Sequence, residues 1–175
     1  SFPAVDPADF GAAADGRTDD TDAFARAVDA SGGKALMLAG RSYALREIEM
    51  RPDMIGLFGP GRLIGRCATD GGILRMNPAA ETCRTDQGGL QLRDLVVELG
   101  KARCGIELFG AVGCTIRNCS VICSRDLQKG IWIRDNCHST TVTNCRITAP
   151  SGELRSLVCL TVESEPTPGT AGYFR

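Results

Sequence analysis

Three segments of the chain share one layout. They are Leu90-Gln91-Leu92-Arg93-Asp94-Leu95-Val96-Val97, Cys114-Thr115-Ile116-Arg117-Asn118-Cys119-Ser120-Val121 and Thr140-Thr141-Val142-Thr143-Asn144-Cys145-Arg146-Ile147. The pivots Asp94, Asn118 and Asn144 stand 24 and 26 residues apart. Small or apolar residues sit four and two positions before each pivot, then one and three after it. A period in the twenties that carries short alternating strands implies stacked coils, each unable to bury its apolar side alone.

Alternation of period two sends one side of each strand inward. Stacking the segments gives four inward columns: Leu90/Cys114/Thr140, Leu92/Ile116/Val142, Leu95/Cys119/Cys145 and Val97/Val121/Ile147. The pivots fall where the inward side flips. Asp and Asn tolerate the left-handed region and bond their own backbone there, so Asp94, Asn118 and Asn144 form a structural turn ladder before they form any ligand site.

A second strand family precedes each segment: Gly72-Ile73-Leu74, Gly105-Ile106-Glu107-Leu108-Phe109, Gly130-Ile131-Trp132-Ile133-Arg134 and Ser156-Leu157-Val158-Cys159-Leu160. The interval between the first two is the longest, and 77–87 is read as a loop thrown outward. Two strand families on one period predict an all-β chain, a right-handed parallel β-helix of about five coils. One domain then spans 1–175: an N-terminal cap region at 1–33, coils at 34–165 and a Pro/Gly-rich tail at 166–175. The cap should be a short α-helix over 22–30. Thr18-Asp19-Asp20-Thr21-Asp22 is rich in N-cap residues, and Ala23, Phe24, Ala27 and Val28 share one face.

The opening Asp9-Phe10-Gly11-Ala12-Ala13-Ala14-Asp15-Gly16-Arg17-Thr18-Asp19-Asp20-Thr21 is followed by Ala23-Phe24, by Gly32-Gly33-Lys34-Ala35-Leu36-Met37-Leu38 and by Gly40-Arg41-Ser42-Tyr43. This run closely resembles the start of the pectin-lyase-like superfamily. One departure is Leu38-Ala39-Gly40-Arg41, where that family usually has a proline-containing turn. The resemblance implies the β-helix, and only loosely a function. Members include pectate and alginate lyases, polygalacturonase-type hydrolases, epimerases, and tailspikes and fibres of bacteriophages. It also implies that Asp19 and Asp20 belong to the cap rather than to a catalytic set.

The net charge of −1 gives no bulk attraction for nucleic acid or an anionic membrane. No apolar run reaches the ~18–20 residues of a membrane span, and Ser1-Phe2-Pro3-Ala4, with no charged or apolar leader region, gives the expectation of no signal peptide. Nine cysteines cannot all pair within one chain. Cys114, Cys119 and Cys145 fall in inward columns, where a free thiol acts as a small hydrophobe. Reduced structural thiols are expected, and no metal site: Cys114, Cys119 and Cys123 lack zinc spacing, and His138, beside Cys137 at a turn, is the only histidine.

The outward positions of the second strand family are Glu107, Phe109, Trp132, Arg134 and Val158, with Asp135 and Asn136 at the strand end. Glu107 should neighbour Trp132, and Phe109 should neighbour Arg134. Trp132, Phe109, Glu107 and Arg134 are candidates for glycan or subunit contact, with the Trp132 ring exposed as a sugar platform. Arg134, Asp135 and Glu107 are the weak catalytic candidates. The signatures that the resemblance implies for a hydrolase, Asn-Thr-Asp, Asp-Asp and Gly-His-Gly, have no counterpart in coil positions, since the pair Asp19-Asp20 is at the cap. The expected function is therefore a structural or attachment component of a phage or phage-like particle, assembled in the cytoplasm. It would be a homotrimer or be covered by other virion proteins at its last coil, in contact with host polysaccharide. The alternatives are a polysaccharide lyase or glycoside hydrolase, and a non-catalytic carbohydrate-binding β-helix. No cofactor is expected, with calcium entering only for a lyase.

Overall fold

The computed structural model describes residues 3–69, 71–76, 89–134, 137 and 139–149, and the backbone of 158–163. In chain order it has β1 (Ala4–Val5), a 3-10 turn (Pro7–Phe10), β2 (Asp15–Asp19), α1 (Thr21–Asp29), β3 (Ala35–Met37), β4 (Ser42–Leu45), β5 (Ile48–Glu49), β6 (Gly56–Gly65), β7 (Gly72–Met76) and β8 (Gln91–Glu98). There follow β9 (Cys104–Phe109), β10 (Thr115–Arg117), β11 (Ser120–Ile122), β12 (Lys129–Arg134), β13 (Thr141–Thr143), β14 (Arg146–Thr148) and β15 (Val158–Glu163). The chain is thus mostly β, with one α-helix among the described residues.

The strands form two sheets. The first runs β1-β3-β6-β8-β10-β13, with β2, β4, β11 and β14 beside that path, and the second runs β15-β12-β9-β7-β5. Pairing is parallel throughout both, for example β8 with β10 and β9 with β12. Register stacks like on like. Val5, Leu36, Leu57, Leu92, Ile116 and Val142 make one column, and Tyr43, Leu63, Val97, Val121 and Ile147 a second. In the second sheet the column is Ile48, Leu74, Ile106, Ile131 and Leu160. The described side chains of these columns join one apolar cluster, burial loosening only at Val142 and Ile147. Burying such columns is the main stabilising term of the fold.

Asp94, Asn118 and Asn144 all hold left-handed backbone, at φ 58, 53 and 52. Asn118 Nδ2 also donates to Asp94 Oδ1 at 3.0 Å, tying one level to the next. β6 uses another device at the same place. Gly59-Pro60 occupies the position opposite Asp94, where the register shifts between Phe58 and Gly61. A Cβ on Gly59 would run into the Asp94 carbonyl.

α1 buries Phe24, Ala27 and Val28 at 2% exposure or less, and the Phe24 ring meets Tyr43 edge-on at 5.4 Å. Its N-terminus is held differently from the expectation. Asp20 sits at the cap position but accepts from Ala13 N and Ala14 N. Asp19 Oδ1 takes over, accepting from Thr21 N and Thr21 Oγ1. Residues before 33 also contribute β1 and β2 to the first sheet, so this region is strand as well as cap.

Two alignments of the second strand family shift. Gly72 pairs with Cys104, not Gly105, which brings Arg75 opposite Glu107. Val158 pairs with Lys129, and Thr161 rather than Val158 pairs with Trp132. Both slips come from matching apolar triplets whose neighbours are equally apolar. The 77–87 loop, Asp135, Asn136, His138 and the 166–175 tail lie outside the described residues.

Candidate functional site

β9 and β12 send Ile106, Leu108, Ile131 and Ile133 into the core. Their other side carries Glu107, Phe109, Trp132 and Arg134. Register places Trp132 beside Glu107 and Arg134 beside Phe109. It continues the row through Arg75 on β7 to Glu49 on β5. Four parallel strands thus contribute one residue each to a row Glu49, Arg75, Glu107, Trp132. Neighbours in such a row lie ~4.8 Å apart, within reach of long charged side chains.

Glu107 points outward yet is only 1% exposed. Gly72 N donates to its Oε2 at 3.0 Å, and Arg134 Nη1 to its Oε1 at 3.4 Å. Arg75 Nε lies 3.6 Å from Oε2, an ion pair too long to be a hydrogen bond, which leaves that nitrogen without a hydrogen-bond partner. Arg75 Nη1 reaches Glu47 Oε1 at 3.4 Å. A buried carboxylate is tolerable only when paired and hydrogen-bonded in this way. The chain makes room for it: a Cβ on Gly71 would lie 2.5 Å from Glu107 Oε2 and 3.4 Å from Glu47 Oε2.

Trp132 is buried at 7% exposure, not the open platform its outward position implies. Two cations stack on its ring. Lys129 Nζ lies 3.4 Å from the ring centroid and the Arg134 guanidinium 4.4 Å from it. Both hold their charge at the face of the indole. Arg134 also lies 5.3 Å from the Phe109 ring. The indole Nε1 is buried without a hydrogen-bond partner.

Chemically, Glu107 has its oxygens occupied by two arginines and an amide, so it is held as a counter-ion. Around Trp132 the face offers to solvent the third of Arg134 that remains exposed and the half-buried Phe109, while further along the row Arg75 is also about one-third exposed and Glu49 is open. Beneath the sheet, burial pushes the Cys104 thiol up to about 12, with Glu107 adding to the rise and Lys129 opposing it. Burial likewise takes Cys119 to about 11. Both are neutral thiols at physiological pH. Among the described residues no cluster of three or more His, Cys, Asp or Glu side chains is arranged to hold a metal ion. The Asp94/Asn118/Asn144 ladder sits on the first sheet, away from this face.

The structure therefore brings Glu107, Trp132, Phe109 and Arg134 together, while Asp135 lies outside the described residues. Reading the sequence missed Arg75, Glu47 and Lys129. Arg75 was detectable in principle: one residue of register places it opposite Glu107.

No family model and no curated protein matches the chain. A crystal structure from Parabacteroides merdae, described as a "putative glycosyl hydrolase", is similar to it at 17% identity and a TM-score of 0.46, over 98% of this chain and 99% of that one.

Proposed function

We propose that the chain is a right-handed parallel β-helix of the pectin-lyase-like kind that acts as a structural or attachment component of a phage or phage-like particle. In this reading it touches host-surface glycan through Phe109 and Arg134 and does not turn it over. The fold part is supported by the parallel ladders, the recurring left-handed pivots and the helix laid against the core. The functional part is carried by the state of Glu107. Glycoside hydrolysis needs two carboxylates facing the sugar, one of them free to give up a proton. The acid beside Trp132 and Arg134, Glu107, is instead buried and shared between Arg75 and Arg134, and the row's other acid, Glu49, stands two strands away on β5.

The second reading, a polysaccharide lyase or glycoside hydrolase, is favoured by one observation: Glu47 and Glu107 both reach Arg75, so two carboxylates lie within the span of one side chain. Calcium would enter only in the lyase form. Incubation with pectate, alginate and capsule glycan, followed by product absorbance and reducing-end assays, separates the two. The attachment reading expects no product, glycan retention weakened by Phe109→Ala, and a mass in solution of three chains. Product formation lost in Glu47→Gln would overturn it in favour of the enzyme.

A further inference from the structure

A second charged region lies beside the outer face and is independent of the reading above. The turns 99–103, between β8 and β9, and 123–128, between β11 and β12, lie side by side and line an open cavity of about 460 Å³. Its lining carries four cations, Lys101, Arg103, Arg125 and Lys129, against one carboxylate, Asp126. Lys101, Arg103 and Arg125 are exposed, and none has an ion pair among the described residues. The cavity is therefore strongly basic in a chain whose net charge is −1.

The floor is built rather than incidental. Gln128 is 4% exposed and all four of its amide contacts serve the two turns. Its Nε2 donates to Gly100 O at 3.0 Å and Ala102 O at 2.7 Å, and its Oε1 accepts from Ser124 N at 2.7 Å and Arg125 N at 2.8 Å. Ser124 Oγ and Lys129 N add bonds to Gly100 O and Arg103 O. The rim holds Leu127 in left-handed backbone at φ 61 with its side chain 68% exposed. A bulky apolar residue in that conformation is strained and gains nothing from the solvent it faces.

We propose that this cavity binds a phosphate monoester, the phosphate held among Arg103, Arg125 and Lys101 and the rest of the ligand resting on Leu127. A phosphate carries nearly two charges and three acceptor oxygens, which suits cations arriving from two turns. A lone carboxylate brings one charge and two oxygens against three cations. The volume is within the ordinary range of small-ligand sites, ~300–1,000 Å³. A concave wall of one sign also focuses the field on an incoming anion.

Titration calorimetry at low salt with glucose 6-phosphate, glucuronate and glucose tests this. Saturable binding of the phosphate is expected, at least tenfold tighter than glucuronate, with none for glucose. The affinity should fall with added salt. Arg103→Gln and Arg125→Gln should each weaken it roughly tenfold, the worth of one charge-assisted hydrogen bond, while Arg117→Gln on the first sheet leaves it unchanged. Circular dichroism confirms that each variant is folded. Equal binding of glucuronate, or phosphate binding unmoved by both arginine variants, overturns the proposal. Neither result bears on whether the chain turns over glycan.

Discussion

Two charged regions lie next to each other on this chain and follow opposite rules. Around Glu107, the carboxylate is sealed and is answered by two arginines that stay about one-third exposed, so the buried charge is met by the chain itself. Around Gln128, the neutral amide is sealed and the charges stand outside it, three of them without a counter-ion among the described residues. A buried charge must be compensated by the chain itself, because desolvation of even one ion costs several kcal/mol. An exposed charge is compensated by water and can be lent to a ligand. Lys129 belongs to both regions: it lines the cavity and covers Trp132.

The largest test of this contrast is Glu107→Ala. It leaves Arg75 and Arg134 facing each other without their shared carboxylate, and should cost about 3–5 kcal/mol in urea unfolding. Arg103→Gln and Arg125→Gln should stay within about 0.5 kcal/mol of the parent. Equal costs in the two regions would erase the distinction.

The alkaline limb comes next, because Cys104 lies between the two regions. Its folded value is about 12, above the ordinary value of 9.0. The neutral thiol is thus favoured in the fold. Its contribution is complete below pH 9 and is lost as pH rises toward 12, at about 1.4 kcal/mol per pH unit. Cys119, at about 11, adds to the fall. Glu107→Gln should lower the Cys104 value and Lys129→Gln should raise it, read from thiolate absorbance and alkylation rate. A shift of the same sign in both variants would contradict the placement of that thiol.

Gln128→Leu removes the amide but leaves every charge, and orphans the carbonyls and amides that it serves. A loss of about 1–3 kcal/mol is expected, so stability on this side rests on the neutral residue. The smallest effect sharpens the case for a ligand. Leu127→Asn tolerates the left-handed backbone and should stabilise the chain by about 1 kcal/mol while weakening phosphate-ester binding.

The pivots and columns of the later levels were readable because Asp94, Asn118 and Asn144 mark the flip of each strand and period two does the rest. The earlier levels were not readable. At β6 the pivot is Gly59-Pro60, which leaves no Asx signature and adds a residue to the count. At the site, the pairing of Glu107 with Trp132 follows from spacing alone. Their burial does not, because alternation says which side a residue faces but not what lies over it. What lies there is Arg75, about thirty positions earlier, and Lys129 and Arg134 at the face of the indole. The cavity escaped notice for a related reason: its cations are spread over two turns that only stacking brings together.

The Gln128 clamp draws all its partners from residues 100–125. The helix packs mainly on the 3-10 turn and β5, away from that corner. The two turns therefore form a unit clamped by one side chain, with Cys123 N donating to Thr148 O at 2.8 Å as a tie to the following strand. That unit could be grafted between the levels of another scaffold with the same ~4.8 Å strand spacing and would carry its recognition chemistry with it.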